Sequence, residues 1–143
     1  MTQDFNSSRT FCENLSQLKN NELHSSLQNR VAEERKLTHQ ILLLIVEIDQ
    51  RKLYLPMACS SLFDYLVKLI GYTPASAQRR IDAARMMLQV PELGGKIEDG
   101  SLKLTQVSQV QQALRLVQKK YESELILAQE FNLPLQSSNS NSG

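Results

Sequence analysis

The stretch that decides the fold is "LFDYLVKLIGYTPASAQRRIDAARMM", residues 62–87. Two segments with apolar residues at helical spacing flank the tetrapeptide "GYTP" at 71–74. Glycine favours the left-handed conformation that ends a helix, and Thr-Pro is typical of an N-cap followed by the first helical residue. The sequence therefore predicts a helix that ends near Ile70, a turn, and a second helix that reaches Gln89.

The rest of the chain also has apolar residues at helical spacing. One long helix, or two nearly collinear ones, is predicted from about residue 20 to 52, and Pro56 is expected to end it because proline cannot continue the hydrogen-bond ladder. A short helix is predicted from Pro91 to about Gly100, and a last helix from about 105 to 130. No strand pattern occurs in the sequence. The predicted fold class is all-α: a long N-terminal helix followed by a helical bundle that contains a helix-turn-helix.

The chain is predicted to form a single helical domain over residues 15–131, with the helix-turn-helix at 61–89. Ser60 and Ser61 are both candidates for the N-cap of the first helix of this motif. The polar N-terminus and the low-complexity string "QSSNSNSG" predict that residues 1–14 and 132–143 are disordered.

Composition and charge exclude several classes of protein. The net charge is +1 at pH 7 with a pI near 7.8, so contact with nucleic acid has to come from a local patch rather than from overall charge. The N-terminus lacks the pattern of a signal peptide. The most apolar run, "ILLLIV" at 41–46, is too short to span a bilayer. A cytoplasmic protein that does not associate with membranes is expected.

Motifs for metal, cofactor or nucleophilic chemistry are missing from the sequence. Cys12, Cys59, His24 and His39 contain no close pair of the kind that zinc sites use. The glycine pair at 94–95 lacks the lysine and hydroxyl residue of a phosphate-binding loop. We therefore predict no catalytic residues, no metal and no cofactor, and expect a protein that is not an enzyme.

The second helix of the motif carries side-chain types that suit a DNA groove. Ala77, Ile81 and Ala84 form its buried stripe and leave the opposite face free. Arginine and glutamine form paired hydrogen bonds with guanine and adenine in the major groove, while lysine and hydroxyl groups reach phosphates. Asp82 argues against DNA binding, because it places a carboxylate on or near the same face. The predicted contacts to double-stranded DNA are Lys68, Thr73, Ser76, Gln78, Arg79 and Arg80.

A helical protein–protein adaptor is the alternative interpretation, because apolar stripes and charged outer faces occur in any helical protein. The apolar run from Ile41 to Ile48 is either the seam of a homodimer or a helix buried between others. The state of Arg79 and Arg80 distinguishes the two functions. A DNA-binding protein needs both exposed, whereas an adaptor tolerates them paired with an acidic residue, Asp82 or Glu98.

Longer strings extend these patterns. From Leu62 to about Leu114 the order is an apolar helix, a glycine turn, a second helix, "VPEL", "EDGSL" and another helix. This order is similar to the helix-turn-helix region of ParB-type chromosome-partition proteins. Over about residues 15 to 115, the strings "ERKLTHQILLLIVEIDQRKLYL", "SSLFDYLVKLIGYTPASAQRRIDAARMM", "PEL" and "IEDGSLKLTQVSQ" resemble the helical N-terminal region that precedes the nuclease domain in a group of bacterial HNH endonuclease proteins.

The second resemblance has a clear departure. HNH nucleases of that kind carry paired cysteines and a histidine cluster after the helical region, and these residues hold the catalytic metal. This sequence has neither histidine nor cysteine after Cys59. The resemblance therefore implies the helical module alone, which would bind DNA as a regulator or as an accessory to a nuclease without cutting it. A remnant of a truncated nuclease gene is a third interpretation.

Overall fold

The computed structural model describes residues 11–132, and the fold is all-α as predicted. No strand occurs in this part of the chain, and none of its helices is long and apolar enough to cross a membrane. A helical segment at residues 11–15 comes first. The helices that follow are α1 (Asn20–Arg51), α2 (Leu62–Lys68), α3 (Pro74–Gln89), α4 (Leu93–Glu98) and α5 (Leu104–Phe131).

The long first helix ends before the proline that was expected to stop it. Lys52 takes the left-handed conformation with φ of 54°, and its N–H donates to the carbonyls of Ile48 and Asp49. Such a C-cap satisfies carbonyl groups that the helix leaves without a partner. Pro56 lies among the turns at residues 52–58, so the predicted stop signal was wrong.

The break between α2 and α3 follows the prediction. Ser61, not Ser60, caps α2, because its Oγ accepts a hydrogen bond of 3.0 Å from the backbone N–H of Asp64. Gly71 has φ of 87°, a conformation that a residue with a side chain rarely takes. Thr73 then caps α3 by accepting from the N–H of Ser76 at 3.3 Å, and Pro74 is the first helical residue. The two helices are therefore separate, with residues 69–73 between them.

The centre of the domain is α3, which contacts each of the other four named helices. Ala77, Ile81 and Ala84 are buried, as the apolar stripe predicted. The two alanines let neighbouring helices approach closely because they have no bulky side chain. The largest fully buried side chains of the domain are Leu42, Leu66, Val107 and Asp82.

The apolar run at 41–48 is used mainly inside the domain. Leu42 and Ile45 are buried in the core, whereas Leu43 and Leu44 are 50% and 63% exposed. Internal burial therefore explains why this part of α1 is so apolar. A homodimer through this run stays a prediction, and within it these two exposed leucines have no internal role.

The predicted disordered ends lie mostly outside the described residues. Residues 11–14 were part of that prediction but are helical. At the other end, Asn132 forms the left-handed C-cap of α5 with φ of 52°. Residues 1–10 and 133–143 are not described.

The short helix α4 lies against α1 through Gly94. A Cβ atom added at Gly94 would be 2.6 Å from Nε2 of His39, too close for any real contact. The same ring uses Nδ1 to bond the carboxylate of Glu98, at 2.6 Å. The neighbouring Gly95 has no atom within 4 Å of such a Cβ. The approach of α4 to His39 therefore depends on the missing side chain at residue 94.

We expect Gly94→Ala to lower the free energy of unfolding by about 1–3 kcal/mol, because the added methyl group has to displace the His39 ring. Gly95→Ala is the matched control. It should raise that free energy by about 0.5–1 kcal/mol, because alanine favours a helix more than glycine does. Urea denaturation measures both. Equal effects at the two positions would contradict the packing role of Gly94.

Candidate nucleic-acid interface

The candidate interface consists of the end of α2, the turn and the first turns of α3. Residues 61–89 contain four basic and two acidic residues, a formal charge of +2, which is greater than the +1 of the whole chain. The location of the two carboxylates decides how much of this charge is presented to solvent, together with Asp49 of α1, which pairs with Arg85 at 3.1 Å. The charged residues are Asp64, Lys68, Arg79, Arg80, Asp82 and Arg85.

Asp82 is turned into the protein, and the expectation that it lies on the DNA-facing side is wrong. Its side chain is fully buried, with 0% exposure. One oxygen accepts a hydrogen bond from the Ser108 hydroxyl at 2.7 Å, and the other accepts from the Arg115 guanidinium. Both partners come from α5, which lies across α3. A buried carboxylate needs such partners because it has lost its hydration.

Gln78 takes part in the same cluster. Its amide Nε2 donates to Oδ1 of Asp82 at 2.9 Å, one turn further along α3. The sequence predicted that this amide reads a base. In the structure one N–H of this amide stabilises the buried carboxylate instead, while its second N–H and its carbonyl oxygen are not used by this bond.

Arg80 and Ser76 hold each other. The guanidinium of Arg80 donates to the carbonyl of Ser76 at 3.2 Å and also to its hydroxyl group. It lies 4.2 Å from the centre of the Tyr72 ring, which is a cation–π contact. Its Nε is buried and has no hydrogen-bond partner among the described residues. These contacts position Arg80 against the turn rather than in solvent.

Arg79 and Lys68 are the cations of this surface that remain available. Arg79 is half-buried and makes no hydrogen bond or ion pair with any residue that the structure describes. Lys68 has a side chain that is 68% exposed, and its Nζ lies 2.7 Å from Oδ1 of Asp64. The hydrogen bond from Lys68 lowers the pKa of Asp64 from its ordinary value. Asp64 thus partly offsets the charge of Lys68.

Thr73 is exposed at the start of α3. Its Oγ1 accepts the capping hydrogen bond, which leaves the hydroxyl proton free to be donated. The first N–H groups of a helix carry partial positive charge, so this end of α3 favours anions. Of the six predicted contact residues, Lys68, Thr73 and Arg79 are therefore accessible, while Ser76, Gln78 and Arg80 are bonded within the domain.

The pairing that would have indicated an adaptor does not occur. Neither Arg79 nor Arg80 contacts Asp82 or Glu98, because Asp82 is bonded to Arg115 and Glu98 to His39. The two arginines differ from each other instead, since one is tied to the turn and the other is unpaired among the described residues. The exposure of both arginines that a DNA-binding protein was expected to need is not found, because both side chains are half-buried.

Sequence reasoning missed the contributions of Ser108, Arg115 and Tyr72. A signal for the first two was present, because they are seven residues apart and so lie on one side of a helix. The position of Asp82 directly after the buried Ile81 was a second signal. Which helix would meet this carboxylate was not readable from the local pattern.

No group of three or more His, Cys, Asp or Glu side chains that could hold a metal ion lies within residues 11–132. Cys59 is buried and Cys12 is exposed, and both are free thiols. Burial of Cys59 places it in the core with Leu62 and Leu66.

Comparison with known proteins adds no family to this description. No protein-family model matches the chain, and neither a curated protein nor a solved structure matches it. The resemblances to HNH-associated and ParB-type regions therefore remain interpretations of the sequence.

The buried carboxylate makes the stability of the domain depend on Arg115. We expect Arg115→Met to lower the free energy of unfolding by about 3 kcal/mol, because Asp82 loses the positive charge that compensates its burial. The matched control is Lys119→Met, one turn along α5 on an exposed position, which should change stability by less than about 0.5 kcal/mol. Guanidinium denaturation measures both variants.

Adding Asp82→Asn to Arg115→Met should recover much of the lost stability, since the amide needs no counter-charge. Such recovery demonstrates coupling between the two residues. If Arg115→Met unfolds as the Lys119 variant does, Arg115 does not stabilise the buried carboxylate.

Proposed function

We propose that this chain is a non-enzymatic helical module that binds double-stranded DNA through the exposed start of α3, as a regulator or as an accessory to a nuclease. The observation that carries the proposal is the inward orientation of Asp82. The carboxylate that argued against DNA binding is buried and bonded to Arg115, so it does not repel phosphates.

The local charge supports this proposal. With Asp82 buried, Asp64 paired to Lys68 and Arg85 paired to Asp49 of α1, Arg79 contributes a positive charge at the start of α3 that no described residue offsets. The modest net charge of the whole chain implies weak binding that is independent of sequence. Recognition would then depend on a few local contacts.

The accessible groups suggest a division of roles. Arg79 is the residue suited to read a guanine in the major groove, because its donors have no other partner in the described chain. Lys68 and Thr73 are suited to phosphates. Ser76, Gln78 and Arg80 would act by holding the geometry of α3 through contacts with Tyr72 and Asp82.

We expect Arg79→Ala to weaken binding to a preferred site by about 1–3 kcal/mol and to relax base preference, because a paired contact to guanine is lost. Lys68→Ala should weaken all sequences alike and reduce the salt slope by about one phosphate contact. Fluorescence anisotropy at several low salt concentrations, on genomic and random duplexes, measures both effects.

The matched control for these variants is Arg30→Ala. Arg30 is an exposed arginine in the first half of α1 and pairs with Glu33 three residues later. Removing Arg30 alters the net charge by the same amount as removing Arg79, but Arg30 lies far from α3 along α1. If Arg30→Ala weakens binding as much as Arg79→Ala does, the effect is one of overall charge. A parent protein that binds no duplex contradicts the proposal.

A protein–protein adaptor is the second candidate function, and a specific observation favours it. Large apolar residues lie exposed along α5, including Leu114, Leu116 and Val117 at 49%, 70% and 67%. Clusters of exposed apolar side chains of this kind mark interaction surfaces in many proteins. Adaptor and DNA-binding functions use different faces, so one chain can have both.

The proposal includes the absence of nuclease activity in these 143 residues, because they contain no histidine or cysteine after Cys59 to build the metal site of an HNH nuclease. Supercoiled plasmid incubated with the protein and magnesium, manganese or zinc should stay supercoiled. The control is a metal-dependent nuclease purified and assayed in parallel. Cleavage that persists through a second purification would contradict this part of the proposal.

A further inference from the structure

Two sides of α5 carry residues that could be buried, but only one of these sides packs inside the domain. Val107, Ser108 and Arg115 face α3, where Ser108 and Arg115 bond the buried Asp82. Positions along a helix turn by about 100° per residue, so residues three and four apart form a second row beside this one. That row contains Val110, Leu114, Val117, Tyr121, Leu125 and Ala128, and is called the free face.

The free face is exposed along most of its length. Val110 and Leu114 are 48% and 49% exposed, and Val117 and Tyr121 are 67% and 59% exposed. The spacing of four, three and four residues between them is the repeat by which two helices pack side by side. Among the five named helices, only α3 makes substantial contact with α5. The row therefore has the spacing of a helix-packing surface, and none of the named helices covers it.

The charges beside the free face indicate what kind of helix fits it. Lys120 and Glu124 lie along one flank of the free face, close to the middle of the exposed part of α5. Within one chain, Nζ of Lys120 lies 3.9 Å from Oε1 of Glu124. In a parallel pair the two-fold axis runs along the helices and puts this flank of one copy on the opposite side of the seam from the same flank of the other, so Lys120 and Glu124 of different copies stay apart. An antiparallel copy puts both flanks on the same side, so Lys120 comes next to Glu124 of the other chain, once on each side of the two-fold axis.

We propose that a second copy of this chain packs antiparallel on the free face, with a two-fold axis close to Tyr121. Such an interface is formed by the same surface on both copies, as two-fold symmetry requires. The segment from residue 110 to 131 is about 33 Å long at the usual rise of 1.5 Å per residue, enough for a continuous helix pair. The inference goes beyond DNA binding and does not rest on it.

The proposed dimer forms through a different surface from the one that the sequence analysis predicted. The sequence placed it between Ile41 and Ile48, where Leu42 and Ile45 are buried in the chain's own core. On α5, by contrast, Leu114, Val117 and Tyr121 are exposed, so a partner can bury them. A two-fold dimer also presents two copies of α3 related by one axis, the arrangement with which paired helix-turn-helix proteins contact two half-sites.

Light scattering of the full chain without DNA measures its oligomeric state and so tests whether the free face forms a dimer. The parent should be a dimer, and Val117→Glu should weaken dimerisation by about tenfold or more, because it places a carboxylate in an apolar seam near Glu124 of the second copy. Leu116→Glu is the matched control: it makes the same kind of change one residue away, on a side of α5 outside the free face. That variant should remain dimeric, and circular dichroism should show both variants folded.

A monomeric parent overturns the inference, and so does a Val117→Glu variant that dimerises as well as Leu116→Glu. Loss of the dimer in both variants also overturns it, since the seam would then not be the free face. None of these outcomes depends on DNA, so the DNA-binding proposal stands or falls separately.

The direction of packing is tested with a spin label on Gln129→Cys in a Cys12→Ser background, where the remaining Cys59 is buried. Gln129 is eight residues from Tyr121, so two labels in an antiparallel dimer should lie about 25 Å apart along the helix axis. In a parallel dimer the two labels lie at the same height along the helix axis, so only the shorter distance across the helix pair separates them. Pulsed electron paramagnetic resonance distinguishes these distances, and the short one overturns the antiparallel arrangement.

Discussion

The burial of the Asp82 carboxylate is the constraint on which most of the structure depends. A carboxylate without water has to be compensated by hydrogen bonds and a nearby positive charge, or its burial would unfold the domain. Here Ser108 and Arg115 of α5 and Gln78 of α3 supply those partners. This requirement selects the side of α5 that meets α3, and therefore also the side that is left exposed.

The outer surface follows from the same interaction. Because Asp82 points inward, the start of α3 presents Arg79 and Thr73 without an opposing carboxylate, and Lys68 nearby carries the exposed part of an ion pair. Arg80 is different, since Tyr72 and Ser76 hold its guanidinium against the turn. A surface that seemed from its residue types to offer six equal contacts is thus divided into groups that reach solvent and groups that maintain the helix geometry.

Small residues set the remaining helix contacts. Ala77 and Ala84 of α3 are buried among neighbouring helices, and Gly94 lets α4 approach the ring of His39. The resulting core is small for the length of the two long helices, so the first half of α1 and the second half of α5 extend beyond it with exposed large apolar side chains. An extended amphipathic helix gains little stability by itself, which is a physical reason for such a segment to associate.

The sequence by itself determined the helices and much of their boundaries, because the signals for these are local. A glycine with positive φ, a threonine cap and a proline at the first position act within a few residues, and the stripe of Ala77, Ile81 and Ala84 defines which side of α3 is buried. The end of α1 near residue 52 was predicted, but its cause was not, since the left-handed conformation of Lys52 rather than Pro56 ends the helix. Only the tertiary structure decided the orientation of Asp82, the loss of Gln78 as a free donor and the exposure of the free face. Each depends on which helix lies across α3, and Ser108 and Arg115 are 26 and 33 residues away from Asp82 in the chain.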